Sequence, residues 1–178
     1  MKDKSDFALV RKPSSAVEKA APGAKRVLAG MVTDTLALTK KVRSFRIVHI
    51  DDEDWLLEMV GMAIRAKFKN VVIDTFQNGN KAWEELLRAD PDLLITDLLN
   101  NNVPGRTESF GMNGYELLPL LAEKNVKYPI LVLSGSLSRE GYEFRTRQLA
   151  GPNLNVSLLK KPITQEQLYA ELAKHIKL

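Results

Sequence analysis

The 178 residues suffice for one ordinary domain plus an extension, and 44% hydrophobic with 27% charged side chains marks a globular chain. No apolar run approaches the ~18 residues of a membrane span or forms the core of a secretory leader, which points to a cytoplasmic protein. The lack of cysteine excludes disulfides and thiolate metal sites, and the net charge of +4 is uneven: residues 1–44 carry +6 and the remainder −2.

The first 44 residues read as a basic extension. Lys2 to Lys4 is charged, and Pro13-Ser14-Ser15 and Pro22-Gly23 interrupt any regular element. Residues 25–41 have helical spacing, with Val27, Met31, Thr35 and Leu38 forming one stripe that Leu28 and Val32 widen. Gly30 weakens that helix by about 1 kcal/mol relative to alanine. The +6 charge suits an anionic partner, but Phe7 is the only aromatic residue before Phe45 and no helix-turn-helix pattern is present. A solvated leader is therefore favoured over a nucleic-acid contact.

From Phe45 the chain alternates strands and helices. Phe45–Ile50 is a short β-branched run, and Glu53–Lys67 is helical, with Leu56, Met59, Val60, Ala63 and Ile64 on one face. A strand over Val71–Phe76 and a helix over Gly79–Ala89 follow. Asp92–Thr96 is a buried strand that ends at Asp97, and Asn113–Glu123 is a helix that Pro119 should kink or disturb in its first turns. Ile130–Leu133 and Val156–Leu159 are strands on either side of a helix over Ser138–Leu149. Thr164 starts the last helix, to Ile176, with Gln167 as its capping-box partner. Five strands alternating with five helices predict an α/β fold, a parallel sheet with helices on both faces.

In such a sheet the carboxyl ends of the strands share one edge, where ligands bind. The strand ends here are polar. Asp51-Asp52-Glu53 follow the first, Asp97 the third, Ser134 the fourth and Lys160-Lys161-Pro162 the fifth. Each has an ordinary explanation taken alone: a helix cap, a turn, a surface charge. Their coincidence at successive strand ends does not. Two carboxylates ~4 Å apart repel by about 4 kcal/mol at an effective dielectric near 20, so such a cluster holds a proton or a cation. Oxygen ligands with open positions suit Mg²⁺ or Mn²⁺. Beside a cation, Asp97 can attack phosphorus, Lys161 can neutralise a phosphoryl oxygen and Ser134 can hydrogen-bond another.

These residues carry a resemblance. Ile47-Val48-His49-Ile50-Asp51-Asp52-Glu53, Leu93-Leu94-Ile95-Thr96-Asp97, Met112-Asn113-Gly114-Tyr115-Glu116-Leu117-Leu118, Pro129-Ile130-Leu131-Val132-Leu133-Ser134-Gly135 and Leu158-Leu159-Lys160-Lys161-Pro162 occur in order. The stretch from residue 45 to 178 resembles the response-regulator receiver domain. The resemblance implies a flavodoxin-like sheet in the order 2-1-3-4-5. It also implies that Asp97 is the phosphoacceptor, that Asp52 is a direct Mg²⁺ ligand with Asp51 holding metal-bound water, and that the backbone carbonyl of Leu99 is a third protein ligand. Ser134 resembles the family's switch hydroxyl, Lys161 its lysine, and the Lys161–Pro162 bond would be cis. Such a domain catalyses its own phosphorylation and dephosphorylation and is not a turnover enzyme. Its implied partners are a sensor histidine kinase or histidine phosphotransfer protein as donor, a downstream protein target reached through the last two helices and strand, and a second copy in a homodimer. No output domain follows the last helix, so a stand-alone receiver is expected.

Three features depart from the family pattern. Leu158 occupies the switch position where an aromatic ring is usual. Asp97 and Gly114 lie 17 positions apart, about twice the family's gap, and residues 100–110 make up the excess. Gly151-Pro152-Asn153 lengthens the connection into the fifth strand. Leu158 and the inserted segment motivate an alternative, a receiver-like binding module that phosphorylation does not switch. A haloacid-dehalogenase-type phosphatase needs a second acid two positions after its nucleophile, where Asp97 has Leu99. Asp52 and Asp54 do have that spacing, but Asp54 falls in the helix. His49 is expected as a satisfied core or rim histidine, His175 as a helix-end residue, and Trp55 and Trp83 as packing residues.

Overall fold

Strand β1 (Phe45–Ile50) sends Ile47 to one face of the sheet and Val48 and Ile50 to the other, and all three are buried. The two-residue period of a strand then requires an apolar layer on each side. The computed structural model, which describes residues 43–98 and 111–176, supplies both layers. Helices α1 (Asp54–Lys67) and α5 (Gln165–Leu172) cover the Ile47 face with Leu56, Val60, Ile64, Leu168 and Leu172. Helices α2 (Gly79–Arg88), α3 (Gly114–Glu123) and α4 (Tyr142–Ala150) cover the other with Leu86, Leu117, Leu118, Leu121 and Ala150.

Strands β2 (Val71–Phe76), β3 (Leu93–Thr96), β4 (Ile130–Ser134) and β5 (Val156–Lys160) complete a parallel sheet in the order β2-β1-β3-β4-β5. The expected α/β, flavodoxin-like fold is therefore the observed one. All four residues of β3 are fully buried, so its register is set from both faces. That register pairs Ile50 with Thr96, and Ser134 with Lys160 on the next pair of strands. The order reverses between β1 and β3, so the strand ends part there and open a crevice.

Several boundaries and placements differ from expectation. The segment after β4 begins as a 3-10 turn (Gly135–Ser138), and α4 starts only at Tyr142, after Gly141 with φ of 77°. The Ser134 hydroxyl bonds to Ser136 and draws the chain into the tighter turn. Helix α3 runs unbroken through Pro119, which faces solvent while Leu117, Leu118 and Leu121 anchor the opposite side. The last helix stops at Leu172 rather than Ile176, so His175 sits in the turn beyond it, 3.6 Å from Glu171. Its Thr164–Gln167 capping box is present. On α1 the buried stripe runs through Leu56, Leu57, Val60 and Ile64, whereas Met59 and Trp55 are 53% and 56% exposed. Trp83 does pack against the core. The expected helix over residues 25–41, the Leu99 carbonyl and the 100–110 segment lie outside the described residues.

Two glycines hold the chain where it re-enters at α3. A Cβ on Gly79 would lie 1.8 Å from the Met112 carbonyl oxygen, and one on Gly114 would lie 2.2 Å from the Asp97 carbonyl oxygen. Both contacts are to backbone, so the start of α3 is pressed against the end of β3. The Met112 amide also donates to the Asn80 side chain.

Candidate functional site

Asp51 and Asp97 leave adjacent strands at matching positions, because the Asp97 amide donates to the Ile50 carbonyl at 2.9 Å. Asp52 turns in beside them, and one carboxylate oxygen from each of the three lies within 4.8 Å of the others. Asp51 is fully buried and Asp97 nearly so. Lys161 reaches back from the end of β5. Its ammonium is 2.7 Å from Asp51, 3.2 Å from Asp97 and 3.6 Å from Glu53.

Electrostatics follow from that burial. Desolvation pushes the Asp51 carboxyl up to about 6, even though hydrogen bonds and charge from Lys161 and the Glu53 amide favour ionisation; the Asp97 charge adds to the rise. For Lys161, burial opposes its charge, but Asp97 and the bond to Asp51 outweigh it and hold the lysine proton more firmly than usual. The cluster is thus an ionised lysine facing acids, with the Asp51 carboxyl held above the ordinary carboxylate range. Three hard oxygen donors converging with one ammonium form a donor set that fits a small divalent cation.

Ser134 is buried at the end of β4. Its hydroxyl oxygen lies 2.9 Å from the Ser136 hydroxyl and accepts from the Ser136 amide at 3.3 Å. Ser136 was not singled out from the sequence; hydroxyls two residues apart around a glycine were the available signal. The Lys161–Pro162 peptide bond is cis. Leu158 packs against the α2–α4 side of the core. Gly135 is open: a Cβ there would meet only Lys161 Cβ, at 4.0 Å.

The residue-level match to known proteins settles the family. The response regulator receiver domain model matches residues 47–173. The chain belongs to that family. The receiver domain is also 30% identical over 100 residues to a protein-glutamate methylesterase/protein-glutamine glutaminase of Treponema denticola, a match covering 56% of this chain and only 24% of that protein. Its fold matches a DNA-binding response regulator of the LuxR family from Staphylococcus aureus at TM-score 0.58 and 19% identity, over 73% of this chain and 97% of that one. A two-component response regulator from Clostridium difficile matches at TM-score 0.58 and 18% identity, over 74% and 94% of the two chains. Domains of this family are phosphoacceptors of two-component signalling. Among the described residues no helix is long and apolar enough to cross a membrane.

His49 corrects one expectation. It lies in the core as expected, but neither ring nitrogen has a hydrogen-bond partner. Burial, then the charge of Lys161, lowers its pKa to about 3. The ring is therefore neutral and two polar atoms are desolvated. His49→Leu is expected to stabilise the receiver domain by about 1–2 kcal/mol at pH 7, read by urea denaturation. The unfolded chain binds a proton near pH 6.5 that the native histidine refuses until about 3. The advantage of leucine should therefore widen by roughly 1.4 kcal/mol per pH unit as pH falls between those values. A gap that stays constant from pH 7 to 4 would show that the ring has found a proton acceptor.

Proposed function

We propose that Asp97 accepts a phosphoryl group from a sensor histidine kinase or histidine phosphotransfer protein, with a divalent cation, Mg²⁺ or Mn²⁺, held by Asp51, Asp52 and Asp97. The Leu99 carbonyl is proposed to complete the ligand set. The observation that carries this reading is the convergence of Lys161 with Asp51 and Asp97 at the reversal point of the sheet. When bound, the cation supplies positive charge that lets an anionic donor approach the acids. An Asp97 carboxylate oxygen attacks phosphorus, the bond from phosphorus to the donor's nitrogen or oxygen breaks, and the leaving group keeps that electron pair. Lys161 neutralises charge on the phosphoryl oxygens, and Ser134 donates a hydrogen bond to one of them. Gly135, open beside Lys161, leaves the approach clear.

A protein donor is supported by the surface beside the crevice. Trp55, Met59 and Met62 are each more than half exposed along α1, and with Pro162 and Ile163 they line a groove of about 750 Å³. Contiguous exposed apolar surface of this kind marks contact sites. The output is a contact with a downstream protein target or a second copy of the chain, not substrate turnover. The domain is proposed to span residues 45–178, preceded in sequence by the basic segment 1–44, and to act in the cytoplasm.

Intact mass after incubation with acetyl phosphate and Mg²⁺ tests the reading. Wild type should gain one phosphoryl group only with the cation present, and Asp97→Asn should gain none. An adduct that survives in Asp97→Asn would assign the chemistry elsewhere. A wild type that takes no phosphoryl group would favour the second reading, an unswitched binding module, which Leu158 supports by placing an aliphatic side chain where the family carries a ring.

A further inference from the structure

We propose that Ser136 is a positioning residue whose hydroxyl holds the Ser134 hydroxyl in the resting protein and must release it before Ser134 can donate to a phosphoryl oxygen on Asp97. This rests on the reading of Asp97 as phosphoacceptor and adds a latch to it.

The two oxygens are 2.9 Å apart, and both residues are buried, Ser134 at 1% and Ser136 at 7% exposure. A serine hydroxyl has one proton and two lone pairs. One lone pair of Ser134 is taken by the Ser136 amide, at 3.3 Å. If Ser134 also accepted the Ser136 proton, its own would be left without an acceptor at the more deeply buried of the two sites, which is costly. Donation from Ser134 to Ser136 avoids this, because the leftover proton then belongs to the residue with some access to water. The single Ser134 proton is thus committed to Ser136 in the resting state. A phosphoryl oxygen on Asp97 must compete for it.

The latch sits where the chain can respond. Ser136 heads into the 3-10 turn, and its carbonyl accepts from the Arg139 amide at 2.9 Å. Gly141, with its positive φ, follows and leads into α4. Release of Ser134 therefore frees the turn that carries α4, a route that does not pass through residue 158.

The test is titration of the full chain with beryllofluoride in Mg²⁺, a non-covalent stand-in for the phosphoryl group, followed by the amide resonances of residues 134–139. Ser136→Ala removes the competing acceptor and is expected to bind about fivefold tighter, the worth of one neutral hydrogen bond. Ser136→Cys, a poor acceptor of similar size, should shift the same way and serves if the alanine variant does not fold. Ser136→Thr keeps the hydroxyl and should stay at the wild-type affinity, whereas Ser134→Ala should bind more weakly. Equal or weaker binding by both Ser136→Ala and Ser136→Cys, or by the one that folds, overturns the latch. If wild type forms the acetyl phosphate adduct while these affinities are unchanged, the latch alone fails. If wild type takes neither adduct nor beryllofluoride, the phosphoacceptor reading fails and the latch falls with it.

Discussion

Gly114→Ala is expected to cost the receiver domain about 3 kcal/mol, at the upper end of what overpacking costs. The new methyl would lie 2.2 Å from the Asp97 carbonyl oxygen and 2.9 Å from Leu98 Cα. Neither atom can rotate away, because both belong to backbone that β1 holds through the Asp97 amide. Relief requires α3 to move off the end of β3, which gives up contacts of Leu117, Leu118 and Leu121, or requires Asp97 to tilt. The second route displaces the Asp97 carboxylate from Lys161. The variant should therefore lose stability in urea and also react more slowly with acetyl phosphate under conditions where it remains folded. Wild-type stability together with a wild-type reaction rate would mean that the start of α3 is not pressed against Asp97 in solution.

Asp51→Asn should act in the opposite direction on stability. The native Asp51 carboxyl titrates at about 6 against an ordinary 3.8, so its charged form is disfavoured in the folded protein. An acid with a raised native pKa gives stability as pH falls through that value and withholds it above. At pH 7 the neutral amide removes that penalty, so the metal-free variant is expected to be more stable by about 2–3 kcal/mol. It also removes one of three converging carboxylates, so the rise in melting temperature expected of the wild type on adding Mg²⁺ should shrink or vanish in the variant. Thermal melts with and without Mg²⁺ measure both effects together. A less stable variant without metal would mean that the bond from Lys161 to Asp51 outweighs the desolvation of the acid.

Wild-type stability then reflects two opposed groups. Between about pH 6 and 4, Asp51 favours the native state as acid is added, while His49 disfavours it over its wider interval from 6.5 to about 3. The larger histidine shift wins, so acid should destabilise the wild type more than His49→Leu.

The alternation of strands and helices was legible because each carries its own period, two residues for Ile47 to Ile50 and three to four for Leu56, Val60 and Ile64. The acids and the lysine were legible for a topological reason: parallel strands bring their carboxyl ends to one edge whatever the side-chain details. Capping at Thr164 is a local reaction between residues three apart, and it too was readable. What failed lay in solvent exposure and in hydrogen bonds whose partners the chain does not announce. Trp55 and Met59 have the spacing of a buried stripe, yet the face of α1 that packs on the sheet runs through Leu56, Leu57, Val60 and Ile64 and leaves them outside. His49 occupies a core position, but only the packing around it shows that neither nitrogen meets a partner.

By itself, the sequence determined the fold class, the order of elements and the set of groups at the sheet edge, since periodicity and strand ends depend on neighbours in the chain. Only the tertiary structure decided that Lys161 sits closer to Asp51 than to Asp97, that Ser134 is bound to Ser136, and that Gly114 abuts Asp97. Each of those depends on distances across strands or turns, set by how whole elements pack, and no local pattern of residue types encodes them.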